Sequence, residues 1–213
     1  MRKNVILFMV CFALFSAAVY PEVLSTFPDM AKPTELRMDD NYFYISDQHS
    51  VFVYDRHTFK LVKKLCDKGE GPLEFKTQPK ITFTTDNIIL CDLYKLIIFS
   101  KDFKPIKEMR LPATSNRVNP IGENFVLSIE KTIDNNQYRA FTLYDREMKK
   151  MKDLVLEPKN EDVYKFLITP WSECRSWKNR VFIAQSHKGF YIDVFNEYGT
   201  ARNYIISKKK WNR

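Results

Sequence analysis

Apolar residues in this chain come in short runs, and the runs return in a fixed order. A polar turn containing Asn leads into an apolar strand, and a second strand then passes through an aromatic residue into another turn. The first half of the phrase reads DDNYFYISD from Asp39, TDNIILCD from Thr85, GENFVLSI from Gly122 and KNRVFIAQ from Lys178. The second half reads VFVYDRHTFKLV from Val51, LIIFSKDFKPIK from Leu96, FTLYDREMKKMK from Phe141 and IDVFNEYGTARN from Ile192. Registered on Asn41, Asn87, Asn124 and Asn179, the steps are 46, 37 and 55 residues; registered on Tyr54, Phe99, Tyr144 and Phe195 they are 45, 45 and 51. That spacing lies close to the period of propeller blades.

The runs are rich in Val, Ile, Phe and Tyr and are bounded by Asp, Asn, Gly or Ser, which is strand chemistry. NYFYIS, NIILC and RVFIA are apolar at successive positions, as expected of strands covered on both faces by neighbouring sheets. An irregular β-sandwich is the alternative, but it would show more alternation. Asn suits tight hairpins because it tolerates positive φ. The predicted fold class is all-β, a β-propeller with about four blades in residues 36–213. Sheets are expected near Leu36–Cys66, Lys80–Leu111, Arg117–Leu156 and Thr169–Ser207, with a short helical turn within Asp162–Ile168. Loops Asp47–Ser50, Cys66–Pro79 and Asp92–Lys95 are expected on one rim. Loops Asp55–Thr58, Ser100–Phe103 and Asp145–Met148 are expected on the other.

Residues 1–18 differ in character. Arg2 and Lys3 precede an apolar stretch from Val5 to Phe15, and Ser16, Ala17 and Ala18 supply a cleavage site, the order of a secretory signal peptide. Val5 to Val19 falls short of the ~20 apolar residues a spanning helix needs, and Phe8, Met9 and Val10 before Cys11 are a poor lipoprotein site. Cleavage leaves no membrane span and implies a secreted or periplasmic protein. Residues 19–35, punctuated by Pro21, Pro28 and Pro33, read as an extended linker or edge strand.

The formal net charge is +8, and loss of Arg2 and Lys3 leaves 32 basic against 26 acidic residues. Much of that excess falls in outer-strand segments (Lys60, Lys63, Lys64; Lys149, Lys150, Lys152), the usual device against edge-to-edge pairing, so nucleic acid is not an expected partner. Cys66, Cys91 and Cys174 are an odd set after cleavage and read as small buried hydrophobes.

The most distinctive string is GEGPLEF, Gly69 to Phe75. Two Gly and a Pro can turn the chain from blade rim to axis, Phe75 can plug the space between sheets, and Glu74 can accept backbone hydrogen bonds. A phosphate cradle would need a longer glycine-spaced loop opening a helix. The string resembles the G-x-G-P-x-E-F signature of bacterial exported six-bladed β-propellers related to the NHL-repeat propellers. Gly69, Gly71, Pro72, Glu74 and Phe75 match, whereas Leu73 stands where that family often has Gly; the resemblance is best from Glu35 to Pro112. It implies six blades, needing roughly 276 residues at about 46 each, against the 178 from Leu36 to Arg213. A compact four-bladed ring, an open arc and a fragment of a longer product all fit the count. The fragment ranks first, and an open arc would be capped by Val19–Pro33, self-associate through its open blade ends, or be unstable alone.

Chemistry-bearing residues are sparse. His49, His57 and His187 lie in no nucleophile elbow or metal-ligand spacing. Asp47, His49, Asp92 and His187 fall near hairpin turns of one predicted rim, and Trp171 and Trp177 lie in the Glu161–Lys178 connection. Together these six are read as a rim surface. A non-catalytic binding module for a protein, peptide or glycan, with no cofactor, is the reading they support. The alternative is a metal-assisted hydrolase or lyase with its site at the propeller axis.

Overall fold

The computed structural model describes residues 26, 30–115, 117–158, 173–185 and 191–205. Nearly all of them belong to one compact unit, Ala31–Arg213. They form four antiparallel meanders of four strands. The first contains β1 (Pro33–Met38), β2 (Tyr42–Asp47), β3 (Ser50–Asp55) and β4 (Leu61–Leu65). A two-stranded parallel link, β5 (Asp67–Lys68) with β6 (Glu74–Phe75), leads to the second, β7 (Lys80–Phe83), β8 (Asn87–Cys91), β9 (Lys95–Ser100) and β10 (Pro105–Arg110). The third contains β11 (Val118–Ile121), β12 (Asn124–Ile133), β13 (Asn136–Tyr144) and β14 (Lys150–Pro158). The fourth contains β15 (Glu173–Trp177), β16 (Arg180–Gln185), β17 (Tyr191–Asn196) and β18 (Ala201–Ile205). This is the all-β, four-bladed propeller arrangement expected from the repeat. Among the described residues there is no helix, and so none long and apolar enough to cross a membrane. The segment 162–168 lies outside the described residues.

The sheets pack face to face, and each gap holds its own apolar core. Between sheets one and two lie Tyr44, Val51, Val53 and Leu65 against Ile81, Ile88, Leu90, Ile97 and Phe99, with Phe75 wholly buried among them. Between two and three lie Ile89, Cys91 and Leu96 against Val118, Phe125, Leu127 and Tyr144. Between three and four lie Ile121, Val126, Phe141 and Leu143 against Cys174, Val181, Ile183 and Phe195. Sheet two therefore sends Ile88, Leu90 and Ile97 one way and Ile89, Cys91 and Leu96 the other, which is why NIILC has no polar face. The outer strands β4 and β10 are mostly exposed and carry Lys63, Lys64 and Lys107. Cys66, Cys91 and Cys174 are free and buried. Burial raises the Cys66 and Cys91 thiols to about 12 and raises Cys174 as well, so none is a thiolate at neutral pH.

The repeated aromatic-then-polar step has a local cause in all four blades. Asp55, Ser100, Asp145 and Asn196 each turn a side-chain oxygen onto backbone N–H groups of the following turn. Asp55 accepts from His57 and Thr58, Ser100 from Lys104, Asp145 from Glu147 and Lys149, and Asn196 from Tyr198 and Thr200. The same turns each place one residue at positive φ: Phe59, Phe103, Met148 and Gly199. The asparagines on which the repeat registers behave differently from expectation. None of Asn41, Asn87, Asn124 and Asn179 has positive φ; Gly122 and Lys178 take that conformation in the third and fourth blades. In the first two blades Asp39 and Thr84 side chains hold the Asn41 and Asn87 amides instead. The type I′ turn that does occur, at Asp134 and Asn135 (φ 48° and 62°), closes the long β12–β13 hairpin.

The GEGPLEF loop is clamped from three sides. The Gly69 amide donates to the Phe75 carbonyl at 3.1 Å and the Gly71 amide to Glu74 Oε2 at 2.8 Å. From sheet two, the buried Lys95 ammonium donates to the Gly71 carbonyl (2.7 Å) and to Glu108 Oε1 (2.9 Å), and Glu108 Oε2 takes the Leu73 amide (2.9 Å). Burial alone would raise the Glu108 pKa, but the Lys95 and Leu73 donors lower it overall. Leu73, at the position where a Gly was expected, holds φ +57° while packing on the first inter-sheet core.

Predictions arise at two places, the GEGPLEF loop and β14. A Cβ on Gly69 (φ +154°) would sit 2.0 Å from Glu74 Oε2, so Gly69→Ala should destabilise the fold by about 1–3 kcal/mol. At Leu73, Gly substitution removes the same packing as Ala but also relieves about 1 kcal/mol of left-handed strain. Chemical denaturation should therefore find Leu73→Gly less costly than Leu73→Ala, and the reverse order would refute the strained-backbone account. The second place is Asp153 at a bulge of β14. Burial raises its pKa, but hydrogen bonds from Lys131, Thr142 (2.6 Å) and Lys150 (3.0 Å) outweigh this and hold it at about 2. A carboxyl depressed on folding stabilises fully above its unfolded value of about 4 and loses that contribution as pH falls toward 2. Asp153→Asn should cost about 1 kcal/mol at neutral pH, allowing for solvent screening, and urea unfolding should show the two proteins converging only below about pH 2.

Candidate functional site

The strand ends define two rims. On one lie the β2–β3 and β8–β9 turns and the links between blades. Asp47 and Asp92, both buried, occupy equivalent places at these turns. Asp47 accepts from the Ala31 amide (2.8 Å) and the Lys32 amide (2.6 Å), just before β1. Asp92 accepts from the Lys76 and Thr77 amides (3.1 and 3.3 Å), just before β7, and from Tyr94 and Lys95 in its own turn (2.8 and 2.9 Å). Each carboxylate thus pins the link that delivers the inner strand of its own blade. Ser46 Oγ adds a 2.6 Å bond to the Pro79 carbonyl, tying the first blade to the link preceding the second. His49 is half-buried in the β2–β3 turn.

The other rim gathers the β7–β8, β11–β12 and β15–β16 turns with the turns between third and fourth strands. Here Lys107 donates to the Arg146 carbonyl at 3.0 Å and Asn124 to the Glu197 carbonyl at 3.2 Å. Trp177, at the end of β15, is on this rim, across the sheet from the Asp47 and Asp92 side. It is 62 % exposed, with the Lys178 ammonium 4.6 Å from its ring. It borders a groove of about 670 Å³ with Phe83 and Phe125 in its wall and Lys107, Arg146, Asp86 and Glu123 around it. Of the six residues read as one rim surface, the structure thus places Asp47, His49 and Asp92 on one rim and Trp177 on the other. Trp171 and His187 lie outside the described residues.

The inner strands hold a constellation the sequence reading did not identify. Glu35 on β1, its side chain 8 % exposed, pairs with Arg37 at 2.8 Å and with Arg117 at 3.1 Å, and also accepts from the Ile81 amide at 3.1 Å. One carboxylate therefore joins blades one, two and three. The alternation Glu35-x-Arg37 was the available signal, but it straddled the boundary drawn between linker and first blade. Among the described residues no three His, Cys, Asp or Glu side chains converge as a metal-holding group. Asp47 and Asp92 spend their oxygens on backbone amides, and Glu35 spends Oε1 on two guanidinium groups and Oε2 on the Ile81 amide.

No family model matches the sequence, and no curated protein shows significant similarity to it. Among solved structures, the chain is similar to the WD40 domain of Neurospora crassa Pan2, at 10% identity and a TM-score of 0.50, over 89% of this chain and 53% of that one. It is similar at lower TM-scores to BamB from Moraxella catarrhalis (12% identity, 0.43, 85% and 52% covered) and to Kluyveromyces lactis Hsv2 (7% identity, 0.44, 86% and 73% covered). The chain spans about half the length of the first two. The Pan2 likeness agrees with the blade-by-blade packing described above, and the fold of this chain is a β-propeller.

Proposed function

We propose that this protein is an exported β-propeller that binds a segment of a partner protein in the groove bordered by Trp177, without catalysing a reaction on it. The observation that carries this reading is an aromatic side chain left 62 % exposed beside a roughly 670 Å³ groove. A Trp costs free energy to hold against water, and it is among the residues that most often anchor protein contacts. Arg146, Lys107, Asp86 and Glu123 give the groove both signs of charge, Arg146 and Glu123 lying 3.6 Å apart, which suits a peptide backbone with mixed side chains. The leader-like residues 1–18 and the GEGPLEF string support export to a secreted or periplasmic location and a relation to the six-bladed, NHL-type exported propellers. The carboxylates that a metal-assisted hydrolase or lyase would recruit on the opposite rim hold backbone amides instead, so binding is the better-supported reading.

Two measurements test it. N-terminal sequencing of the chain recovered from its native compartment should begin near Val19; an intact Met1 would overturn the export reading. Affinity capture followed by titration against the captured partner should show Trp177→Ala weakening binding by about 2 kcal/mol, roughly thirtyfold. Thermal stability should stay unchanged, since so exposed a side chain contributes little to the core. Equal binding by both proteins would place the contact elsewhere.

A further inference from the structure

A second cavity opens on the Asp47 and Asp92 rim, at the other end of the strands from Trp177. It is a cleft of about 420 Å³ between the inner strands of sheets two, three and four. Asn119 on β11 lines it, is 2 % exposed, and its Nδ2 has no hydrogen-bond partner. A buried amide donor without an acceptor costs about 1–3 kcal/mol, and such a group in a native protein calls for an explanation. The charges around it supply one. Lys80, Arg117, Arg139 and Arg175 line the cleft against Glu130 and Glu173. Three of these cations are partnered: Arg117 by Glu35, Arg175 by Glu173, and Arg139 within its own surroundings. Lys80, half-buried on β7, has no ion pair among the described residues. β7 and β11 are held side by side by Thr82 Oγ1, which donates to the Val118 carbonyl at 3.2 Å. The cleft therefore combines an orphan amide donor and an ammonium with no ion pair among the described residues, on adjacent inner strands, in a wall of four basic and two acidic side chains.

We propose that this cleft binds a carboxylate. One carboxylate oxygen satisfies the Asn119 amide, and the charge is balanced by Lys80 with the Arg117 guanidinium behind it. A cation is disfavoured, because it would meet the Lys80 ammonium and the Arg117 guanidinium beside Asn119. A phosphate dianion is disfavoured because Glu130 and Glu173 stand in the same wall, and a single negative charge with two oxygens fits one neutral and one cationic donor better. The carboxylate can belong to a small organic acid or to the C-terminus of a peptide. The cleft and the Trp177 groove lie on opposite rims, so this site stands or falls independently of the reading above.

Isothermal titration of the purified chain distinguishes these cases, with succinate, its neutral isostere succinamide, inorganic phosphate, and one short peptide with a free or an amidated C-terminus as probes. Saturable binding is expected of succinate or the free-carboxylate peptide, at least tenfold tighter than of the matching amide. Whichever of the two binds tighter identifies the source. Lys80→Met should weaken that binding at least tenfold, and Asn119→Asp, which sets a like charge against the ligand, should abolish it. Should Asn119→Asp fail to fold, Lys80→Met carries the test, because its side chain is half-buried and outside the three cores. Absence of binding, phosphate binding as tight as the carboxylate, or affinity unmoved by Lys80→Met would each overturn the proposal.

Discussion

Sheets two and three of this propeller pack apolar residues on both faces, and that constraint governs the rest. A strand such as NIILC cannot leave either side in water, so sheet two is stable only between two neighbours, and each neighbour is stabilised by the same contact. Large buried side chains in each gap contribute about 1.5–3 kcal/mol apiece, whereas a lone four-stranded meander with two bare apolar faces would be driven to aggregate. The polar chemistry is arranged around that packing. Links between blades must run across the rims, where their backbone amides have no strand partner, and Asp47, Asp92 and Glu108 meet them with carboxylates.

The architecture was legible because blade packing imposes itself on composition. Doubly buried strands must be continuous apolar runs, and the turns between third and fourth strands need an oxygen acceptor at a fixed offset from the aromatic. Both leave a mark at every repeat, from Tyr54-Asp55 to Phe195-Asn196. The register on Asn was equally visible, but its cause was misread, because Asn41 and Asn87 are held through their amides by Asp39 and Thr84 and need no left-handed backbone. In the GEGPLEF loop Phe75 is buried between sheets and Glu74 holds the Gly71 amide. The roles of Lys95 and Glu108 in clamping it were not visible, since nothing local relates residue 95 to residue 71.

The candidate sites were less legible for the same reason. Asp47 and Asp92 stand out in sequence as turn carboxylates, yet both oxygens of Asp47 and Oδ2 of Asp92 reach amides fifteen or sixteen residues away, a distance that periodicity does not report. Glu35, Lys80, Arg117 and Asn119 come together only once three inner strands lie side by side. Charged residues on inner strands carry no motif; their meaning lies in which strand is adjacent. Trp177 is the reverse case, conspicuous by type, but assigned to a long connection when it ends a strand and faces the other rim.

The Glu35 constellation also sets an order of events as the chain folds. Its partners, Ile81 and Arg117, lie 46 and 82 residues downstream, so the carboxylate at the head of the first blade waits, solvated, through synthesis of the second. Each meander is built of local hairpins and can form quickly, but the ion pair that joins the three inner strands closes a loop nearly two blades long, the kind of non-local contact that slows folding. A ribosome adding about 5–20 residues per second would hold the first sheet without that contact for several seconds. The first blade's fidelity during that interval rests on its hairpins and on Asp47 alone.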